Sequence, residues 1–151
     1  MKKVMLIASG GGHFTELKQF SRIIESNNCL LVTEKASNTK DSEYNTKFLK
    51  HISRSDLFYW PIYFYNSFLS AFYFFGFNPQ VVISTGAHTT IPTMLLAKIF
   101  KKKLIYVETY ANVYKPTRTG KFIYKHCDLF IVQWEEMLKH YPNAVYGGSI
   151  F

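Results

Sequence analysis

Cysteine is scarce in this chain of 151 residues, which contains only Cys29 and Cys127. Neither belongs to a Cys-x-x-Cys pair or to a Cys/His spacing typical of zinc sites, and the five histidines are scattered. A disulfide framework and a zinc domain are therefore excluded, and we interpret both cysteines as reduced, buried side chains. The sequence also lacks an Asp-x-Asp pair, so we expect neither a metal site nor a cofactor.

Acidic residues are also few, with 10 Asp and Glu against 18 Lys and Arg, a net charge of +8 and a pI near 9.4. Such an excess suits nucleic acid, anionic lipid or phosphorylated substrates. No zinc finger, basic leucine zipper or RNA-binding signature is present, so we expect no nucleic-acid partner. The basic residues fall instead into small groups at residues 2–3, 47–54, 98–103 and 115–125.

Charge is absent from residues 57–77, which hold twelve aromatic side chains. Pro61 suits a first helical turn, and Gly76 followed by Asn78 and Pro79 ends the helix. The predicted helix is apolar except for a narrow stripe of polar residues at helical spacing: Tyr63, Asn66, Ser67, Ser70 and Tyr73. Three interpretations stay open: a helix in the membrane interface, a buried or partner-covered helix, and a short transmembrane span.

The interfacial interpretation combines this aromatic segment with the basic groups, since aromatic rings insert into a bilayer and lysines attract anionic lipid. The candidate membrane-binding residues are Trp60, Phe64, Phe68 and Phe72. The apolar stretch that follows Met1-Lys2-Lys3 runs only from Val4 to Ala8, too short for a signal peptide. We therefore expect the protein at the cytoplasmic face of the cell membrane.

Apolar runs alternate with helical patterns along the chain. The helical patterns cover residues 14–24, 57–77, 91–100, 121–126 and 135–140, whereas 34–56 is polar and predicts a loop with a weak helix or strand. The predicted strands are Val4–Ala8, Cys29–Thr33, Val81–Ser84, Leu104–Val107 and Leu129–Val132. This alternation predicts one α/β domain over residues 1–151, with a doubly wound, mostly parallel, Rossmann-like sheet.

Small and polar residues follow three of these strands, at 9–13, 84–88 and 108–112. In doubly wound sheets ligands bind beyond the carboxyl ends of the strands, so these loops are the candidate site. The first loop, Ser9-Gly10-Gly11-Gly12-His13, allows close approach of a phosphate to the backbone. It fails the dinucleotide fingerprint because Thr15 stands at the third glycine position. A nucleotide-binding oxidoreductase therefore remains only an alternative.

Several side chains in these loops are candidates for chemistry, each with a structural alternative. His13 is placed to deprotonate a hydroxyl nucleophile, or else caps the helix. Glu108 suits a sugar hydroxyl or the orientation of a base, or else is a surface acid paired with lysine. Ser84, Thr85 and His88 are candidate donors to phosphate oxygens, or else serve the turn. Gln133-Trp134 favours packing or a subunit interface over catalysis.

Five motifs in matching order resemble one family over almost the whole chain: SGGGH at 9–13, STGAH at 84–88 with Pro92, YVETYANV at 106–113, FIVQW at 130–134 and YGGSIF at 146–151. Together they resemble the acceptor-side subunit of split GT-B glycosyltransferases. That family includes bacterial capsule and exopolysaccharide proteins of the PssD/CpsF type. It also includes the eukaryotic membrane subunit of the transferase that adds the second N-acetylglucosamine to dolichol diphosphate.

The resemblance implies the N-terminal half of a GT-B enzyme, in which the glycine loop lies near the acceptor diphosphate. It implies catalytic roles for His13 and for Glu108 facing the cleft. The implied acceptor or phosphate contacts are Ser9, Gly10, Gly11, Gly12, Ser84, Thr85, Gly86 and His88. Ala87 completes the second acceptor-side loop. Unlike the eukaryotic relatives, the chain starts directly with its first strand, so the aromatic helix would have to supply the membrane contact.

The implied function is that of a subunit in a two-component glycosyltransferase for capsular or exopolysaccharide synthesis. It would bind a polyprenyl-diphosphate-linked acceptor and recruit a separate chain that binds the UDP-sugar donor. Because the resemblance ends without a donor-binding domain, we expect little turnover from this protein alone. The main alternative is a non-enzymatic membrane adaptor for a complete transferase, for which His13 and Glu108 would be dispensable.

Overall fold

The computed structural model describes residues 1–36, 43–53 and 55–151. Its centre is a parallel sheet with the strand order β3-β2-β1-β4-β5-β6-β7. The strands are β1 (Lys3–Ala8), β2 (Asn28–Glu34), β3 (Thr46–Leu49), β4 (Val81–Gly86), β5 (Lys103–Val107), β6 (Leu129–Val132) and β7 (Val145–Tyr146). The helices are α1 (Gly12–Lys18), α2 (Ser21–Ser26), α3 (Tyr59–Phe77), α4 (Ile91–Ile99) and α5 (Arg118–Ile123). Short 3-10 helices occupy His88–Thr90 and Glu135–Lys139.

Helices cover both faces of the sheet, as the predicted doubly wound fold requires. Along β1, Val4 and Leu6 point toward α1 and α2, where they pack with Phe14, Leu17 and Ile24. Met5 and Ile7 point to the opposite face, in a core that includes Phe74 of α3, Met94 of α4 and Ile123 of α5. A strand buried on both faces must be apolar throughout, which explains the unbroken apolar runs of the sequence.

Several predicted boundaries need correction. The single helix expected over 14–24 is broken into α1 and α2, and α5 starts at Arg118 instead of Lys121 because the Thr117 side chain caps it. The region 34–56 contributes strand β3, although residues 37–42 and 54 lie outside the described part of the chain. The two-residue strand β7 was not predicted.

The two cysteines differ in burial. Cys29 is buried as predicted, whereas the prediction was wrong for Cys127, which is only partly buried. Burial raises the pKa of the Cys127 thiol to about 11, so this side chain stays a neutral thiol at neutral pH. Both cysteines are free, in agreement with the expected reduced state.

The aromatic helix α3 is oriented with its polar stripe toward the protein. Asn66 and Ser70 are buried, and the Asn66 amide both accepts from the Lys50 N–H (2.9 Å) and donates to the Lys50 carbonyl (2.8 Å). Trp60, Phe64, Phe68 and Phe72 are 64%, 67%, 77% and 67% exposed. Helices at a protein surface normally show the opposite arrangement. The buried-helix interpretation is therefore wrong for this chain.

The exposed aromatic side chains form one stripe, which we call the aromatic surface: Trp60, Phe64, Phe68, Phe72 and Phe75. Phe100, just past α4, extends it through a T-shaped contact with Phe75 at 5.0 Å between ring centroids. None of the described helices is long and apolar enough to cross a bilayer. An exposed apolar patch of this extent marks an interaction surface.

Candidate functional site

The three predicted loops meet at the carboxyl edge of the sheet, because β1, β4 and β5 are adjacent. The Ser9 N–H donates to the Gly86 carbonyl (3.1 Å), which joins the first two loops. The Thr85 hydroxyl donates to the His13 carbonyl (2.8 Å). The Thr109 hydroxyl, from the third loop, donates to the Glu16 carboxylate (2.8 Å). One set of hydrogen bonds therefore connects all three loops around α1.

His13 faces a cavity of about 440 Å³ at this edge. The cavity is lined by His13, Gly86, Ala87, His88, Tyr106, Asn112, Thr117, Arg118 and Thr119. Gly86 has a φ of +100°, a backbone conformation that favours glycine, and an added Cβ there would lie 3.2 Å from the Tyr106 hydroxyl and 3.4 Å from the His13 ring. Arg118 supplies a cation and His88 a second imidazole, so the cavity can take a negatively charged group.

The other glycines of the first loop lie in two grooves beside this cavity. Ser9, Gly10 and Gly11 line one groove, which they share with Ala87 and His88. Gly12 lines another, between α1 and the loop after β5, and His13 lines this groove as well as the main cavity. His13 therefore separates two open spaces, whereas His88 separates the cavity from the groove beside the glycines.

Two of the predicted acceptor contacts, Ser84 and Thr85, use their hydroxyls in hydrogen bonds within the protein. Ser84 and Thr85 are fully buried and line none of the cavities at this edge. The Ser84 hydroxyl accepts from the Gly86 N–H (3.2 Å), while the Thr85 hydroxyl is used by the His13 carbonyl. The expected phosphate contact is therefore wrong for these two residues, whose hydroxyls shape the turn that presents Gly86 and His88.

Glu108 follows β5 as predicted, but its carboxylate points away from the cleft and is only 1% exposed. It accepts hydrogen bonds from the Thr117 hydroxyl (2.7 Å) and the Tyr141 hydroxyl (2.8 Å), with longer ones from the N–H groups of Thr109 and Thr117. Burial, and then the negative charge of Glu108, raise the pKa of Tyr141. The expectation of a cleft-facing carboxylate is corrected, because these donors hold Glu108 inside the loop–α5 junction.

A substitution at Gly120 tests the hydrogen-bond network around the buried Glu108 carboxylate. A Cβ at this position would collide with the Glu108 carboxylate and lie 2.7 Å from the Tyr141 hydroxyl. Gly120→Ala should lower the free energy of unfolding by about 1–3 kcal/mol, because overpacking of a filled site forces its neighbours apart. Urea unfolding measures this effect. Gly76→Ala is the matched control, since nothing lies within 4 Å of its added Cβ, and equal stability of the two variants would contradict the network.

Sequence reasoning missed Glu16, a carboxylate that is 4% exposed on α1. One oxygen accepts from the Thr109 hydroxyl and from the Tyr110 N–H, both at 2.8 Å. The other lies 3.9 Å from Nδ1 of His13. Its position in the sequence could have indicated this role: Glu16 comes three residues after His13 on a predicted helix, and this spacing places both side chains on one helical face.

The aromatic helix α3 contacts the wall of the cavity through His88. The rings of Tyr59 and Tyr63 stack on His88 at centroid distances of 5.8 Å and 6.3 Å. Trp60 and Phe64, in the same two turns, are exposed. The stacked rings of Tyr59, Tyr63 and His88 therefore lie between the aromatic surface and the cavity that contains His13. Within residues 1–36, 43–53 and 55–151, no group of three or more His, Cys, Asp or Glu side chains is placed to hold a metal ion.

Gln133 and Trp134 have the packing role that the sequence favoured. The Gln133 amide donates to the Glu108 carbonyl (3.1 Å), and its oxygen accepts from the Ile150 N–H (3.1 Å). The Trp134 indole donates to the Tyr110 carbonyl (2.7 Å). Both residues therefore fasten the loop after β5 to the strand that follows it in the sheet.

Solved structures share this architecture. MurG from Acinetobacter baumannii aligns with a TM-score of 0.71 and 15% identity over 90% of this chain and 43% of its own. A UDP-N-acetylglucosamine 2-epimerase from Rickettsia bellii aligns with a TM-score of 0.75 and 14% identity over 99% and 45%. At these identities the likeness concerns the fold alone. It confirms the predicted Rossmann-like α/β domain, and this chain spans less than half of either structure.

The family follows from the sequence comparison. A family model described as "Oligosaccharide biosynthesis protein Alg14 like" matches residues 4–150, and the chain belongs to this family. The UDP-N-acetylglucosamine transferase subunit ALG14 of Mus musculus is 28% identical over 98% of this chain and 82% of its own length. The subunits of the same name from Kluyveromyces lactis and Homo sapiens are 41% and 35% identical, each over 48% of this chain and over 34% and 37% of their own.

These matches confirm the resemblance to the eukaryotic transferase subunit. The likeness to bacterial PssD/CpsF-type proteins stays a prediction. In the Kluyveromyces lactis and Homo sapiens relatives, the matched part spans only about a third of the full length.

Proposed function

We propose that this protein is the acceptor-side subunit of a two-component glycosyltransferase at the cytoplasmic face of the membrane. It would bind a polyprenyl-diphosphate-linked acceptor, while a second chain binds the UDP-sugar. The observation that carries this proposal is the position of the His13 cavity, which the stacked rings of Tyr59, Tyr63 and His88 join to the exposed aromatic surface. A lipid-linked sugar needs both features side by side, since its prenyl chain stays in the bilayer and its sugar must reach the base.

The charged residues around the aromatic surface support membrane attachment. The Lys50 ammonium lies 4.7 Å from the Tyr65 ring centroid, and that of Lys3 lies 5.7 Å from the Phe77 centroid. Lys98 and Lys101 are exposed beside Phe100. Aromatic rings with a rim of lysines suit the headgroup region of an anionic bilayer, where rings insert and ammonium groups pair with lipid phosphates.

The cavity supports a diphosphate and a sugar as the bound groups. Arg118, His88 and Thr119 offer a cation and hydrogen-bond donors for phosphate oxygens, and the groove beside Gly10 and Gly11 allows close approach of the backbone. His13 would accept the proton of the acceptor hydroxyl as that oxygen bonds to the anomeric carbon of the donor. The bond from this carbon to the UDP oxygen breaks on the opposite face, so the transfer inverts the configuration.

The donor-binding chain is a separate protein in this proposal. The curated relatives are named as subunits, which supports division of the enzyme between two polypeptides. Their names also support UDP-N-acetylglucosamine as the first donor to test. The resemblance to capsule and exopolysaccharide proteins supports a polysaccharide as the final product. The adaptor alternative needs only the aromatic surface and leaves the His13 cavity without a use.

Reconstitution tests the proposal. The purified chain, given UDP-N-acetylglucosamine and a polyprenyl-diphosphate-linked monosaccharide in anionic vesicles, should transfer little or no sugar. Adding the donor-binding subunit should produce transfer, because only the pair brings the anomeric carbon to the acceptor hydroxyl. Extraction of radiolabelled lipid measures the product. Robust transfer by this chain alone would refute the division between two proteins.

A further inference from the structure

The Glu16 carboxylate is buried and only partly used by the fold. Oε1 accepts two hydrogen bonds, from the Thr109 hydroxyl and the Tyr110 N–H. Oε2 is buried without a hydrogen-bond partner, and so is Nδ1 of His13, 3.9 Å away. Buried polar atoms are normally paired, so two that face each other unpaired need a reason.

Comparison with Glu108 shows that the fold can fully pair a buried carboxylate. Both oxygens of Glu108 accept hydrogen bonds, and its partners hold a loop to a helix. Glu16 is almost as buried, but its second oxygen faces the ring of His13, which lines the cavity. Burial, partly offset by hydrogen bonds from Thr109 and Tyr110, raises the pKa of Glu16 above its ordinary value. Such a desolvated carboxylate beside a cavity is typical of functional sites.

We propose that Glu16 is the positioning residue of His13: its Oε2 accepts a hydrogen bond from Nδ1–H, which leaves Nε2 as the unprotonated nitrogen for the acceptor hydroxyl. This inference rests on the proposed function, in which His13 is the base. The carboxylate also stabilises the imidazolium that forms when His13 takes the proton. The 3.9 Å separation needs to shorten by about 1 Å to become this hydrogen bond, and catalytic hydrogen bonds commonly tighten as the reacting complex forms.

The two hydrogen bonds to Oε1 fix the orientation of the Glu16 carboxylate relative to His13. They anchor it to the loop after β5, so rotation of the Glu16 side chain is prevented while Oε2 points at His13. The His13 backbone is held independently by the Thr85 hydroxyl. A base fixed at its backbone and at one ring nitrogen has a defined orientation, which proton transfer requires.

Glu16→Gln distinguishes this role from a structural one. Two donors already bind Oε1, so the glutamine oxygen stays there and its NH₂ group faces Nδ1 of His13. That group donates to Nδ1 and places the ring proton on Nε2, the opposite tautomer. ¹⁵N NMR of the imidazole in the isolated chain should show this reversal in neutral His13. In the reconstituted pair, kcat should fall about 10- to 100-fold, because the variant loses part of the rate enhancement that a general base provides. KM should stay within about twofold of the native value.

Stability provides a second measurement. When the pKa of a carboxyl is higher in the folded than in the unfolded protein, the group stabilises the fold at a pH below its unfolded-state pKa. This stabilisation is lost as the pH rises through the folded-state pKa. The charged groups that act on Glu16 are His13 on α1 and Glu108 after β5. Glu16→Gln should therefore match or exceed the native urea midpoint at neutral pH and show less loss of stability as the pH rises above the ordinary glutamate pKa of about 4.3. Exposed Glu25→Gln is the control, with native behaviour in every assay.

The outcomes separate this inference from the proposed function. An unchanged His13 tautomer in Glu16→Gln overturns the positioning role, whatever the activity. A clear loss of stability in that variant also overturns it, since it shows a structural carboxylate. A reversed tautomer with native kcat keeps the pairing but refutes His13 as the base, and with it the proposed mechanism. Reversal together with a lower kcat supports both.

Discussion

Replacing His13 by alanine should lower the turnover of the reconstituted pair by about 10²–10⁴-fold, the usual contribution of a general base. His13 lines the cavity beside Gly86, and its Nδ1 lies 3.9 Å from the Glu16 carboxylate, too far for a hydrogen bond on which the fold depends. Its carbonyl holds the Thr85 hydroxyl, a contact that alanine keeps. Folding, vesicle binding and association with the partner should therefore be unchanged. Single-turnover transfer of radiolabelled sugar measures the effect.

The matched control is His126→Ala, which removes an exposed imidazole from the turn after α5 and should leave turnover native. Native turnover in His13→Ala would reduce His13 to a structural role at the start of α1. It would also favour the adaptor alternative, because Glu108 is buried and cannot replace His13 at the cavity. A variant that fails to bind its partner would instead show that His13 shapes the subunit interface.

Serine at Trp60, Phe64, Phe68 and Phe72 should abolish flotation of the protein with anionic liposomes. Transfer of one large apolar side chain out of water contributes about 1.5–3 kcal/mol, so four partly exposed rings together should change partitioning by at least about 10³-fold. All four side chains are about two-thirds exposed or more, hence the fold should survive. Circular dichroism and urea unfolding check this point.

Two controls sharpen the membrane experiment. Tyr114 and Tyr146 are also exposed aromatic residues, but lie outside the aromatic surface, and serine at both should leave flotation native. Vesicles without anionic lipid should bind the native protein less tightly, because the surrounding lysines then lose their attraction. Native flotation of the fourfold variant would refute a lipid role and assign the aromatic surface to a protein partner. General unfolding would contradict the exposed positions of these four rings.

Sequence periodicity predicted the fold because parallel strands covered on both faces must be apolar throughout. The runs at Val4–Ala8 and Val81–Ser84 are therefore visible without any tertiary information. Right-handed crossovers then place the ends of these strands at one edge, so the meeting of the loops at His13 and Gly86 was predictable. The periodicity did not predict where each helix begins. Helix α5 begins at Arg118 because the Thr117 side chain caps it, and hydrophobic periodicity carries no information about such a local hydrogen bond.

The sequence by itself determined the strand and helix alternation, the edge where the candidate site lies and the place of His13 at that edge. Only the tertiary structure decided which way each polar side chain points. Glu108 turns inward because Tyr141, far along the chain, supplies a donor, and Glu16 faces His13 because Thr109 and Tyr110 hold its other oxygen. The outward-facing aromatic side of α3 depends likewise on Asn66 bonding to Lys50. Such long-range hydrogen bonds form only after folding, so no local pattern in the sequence records them.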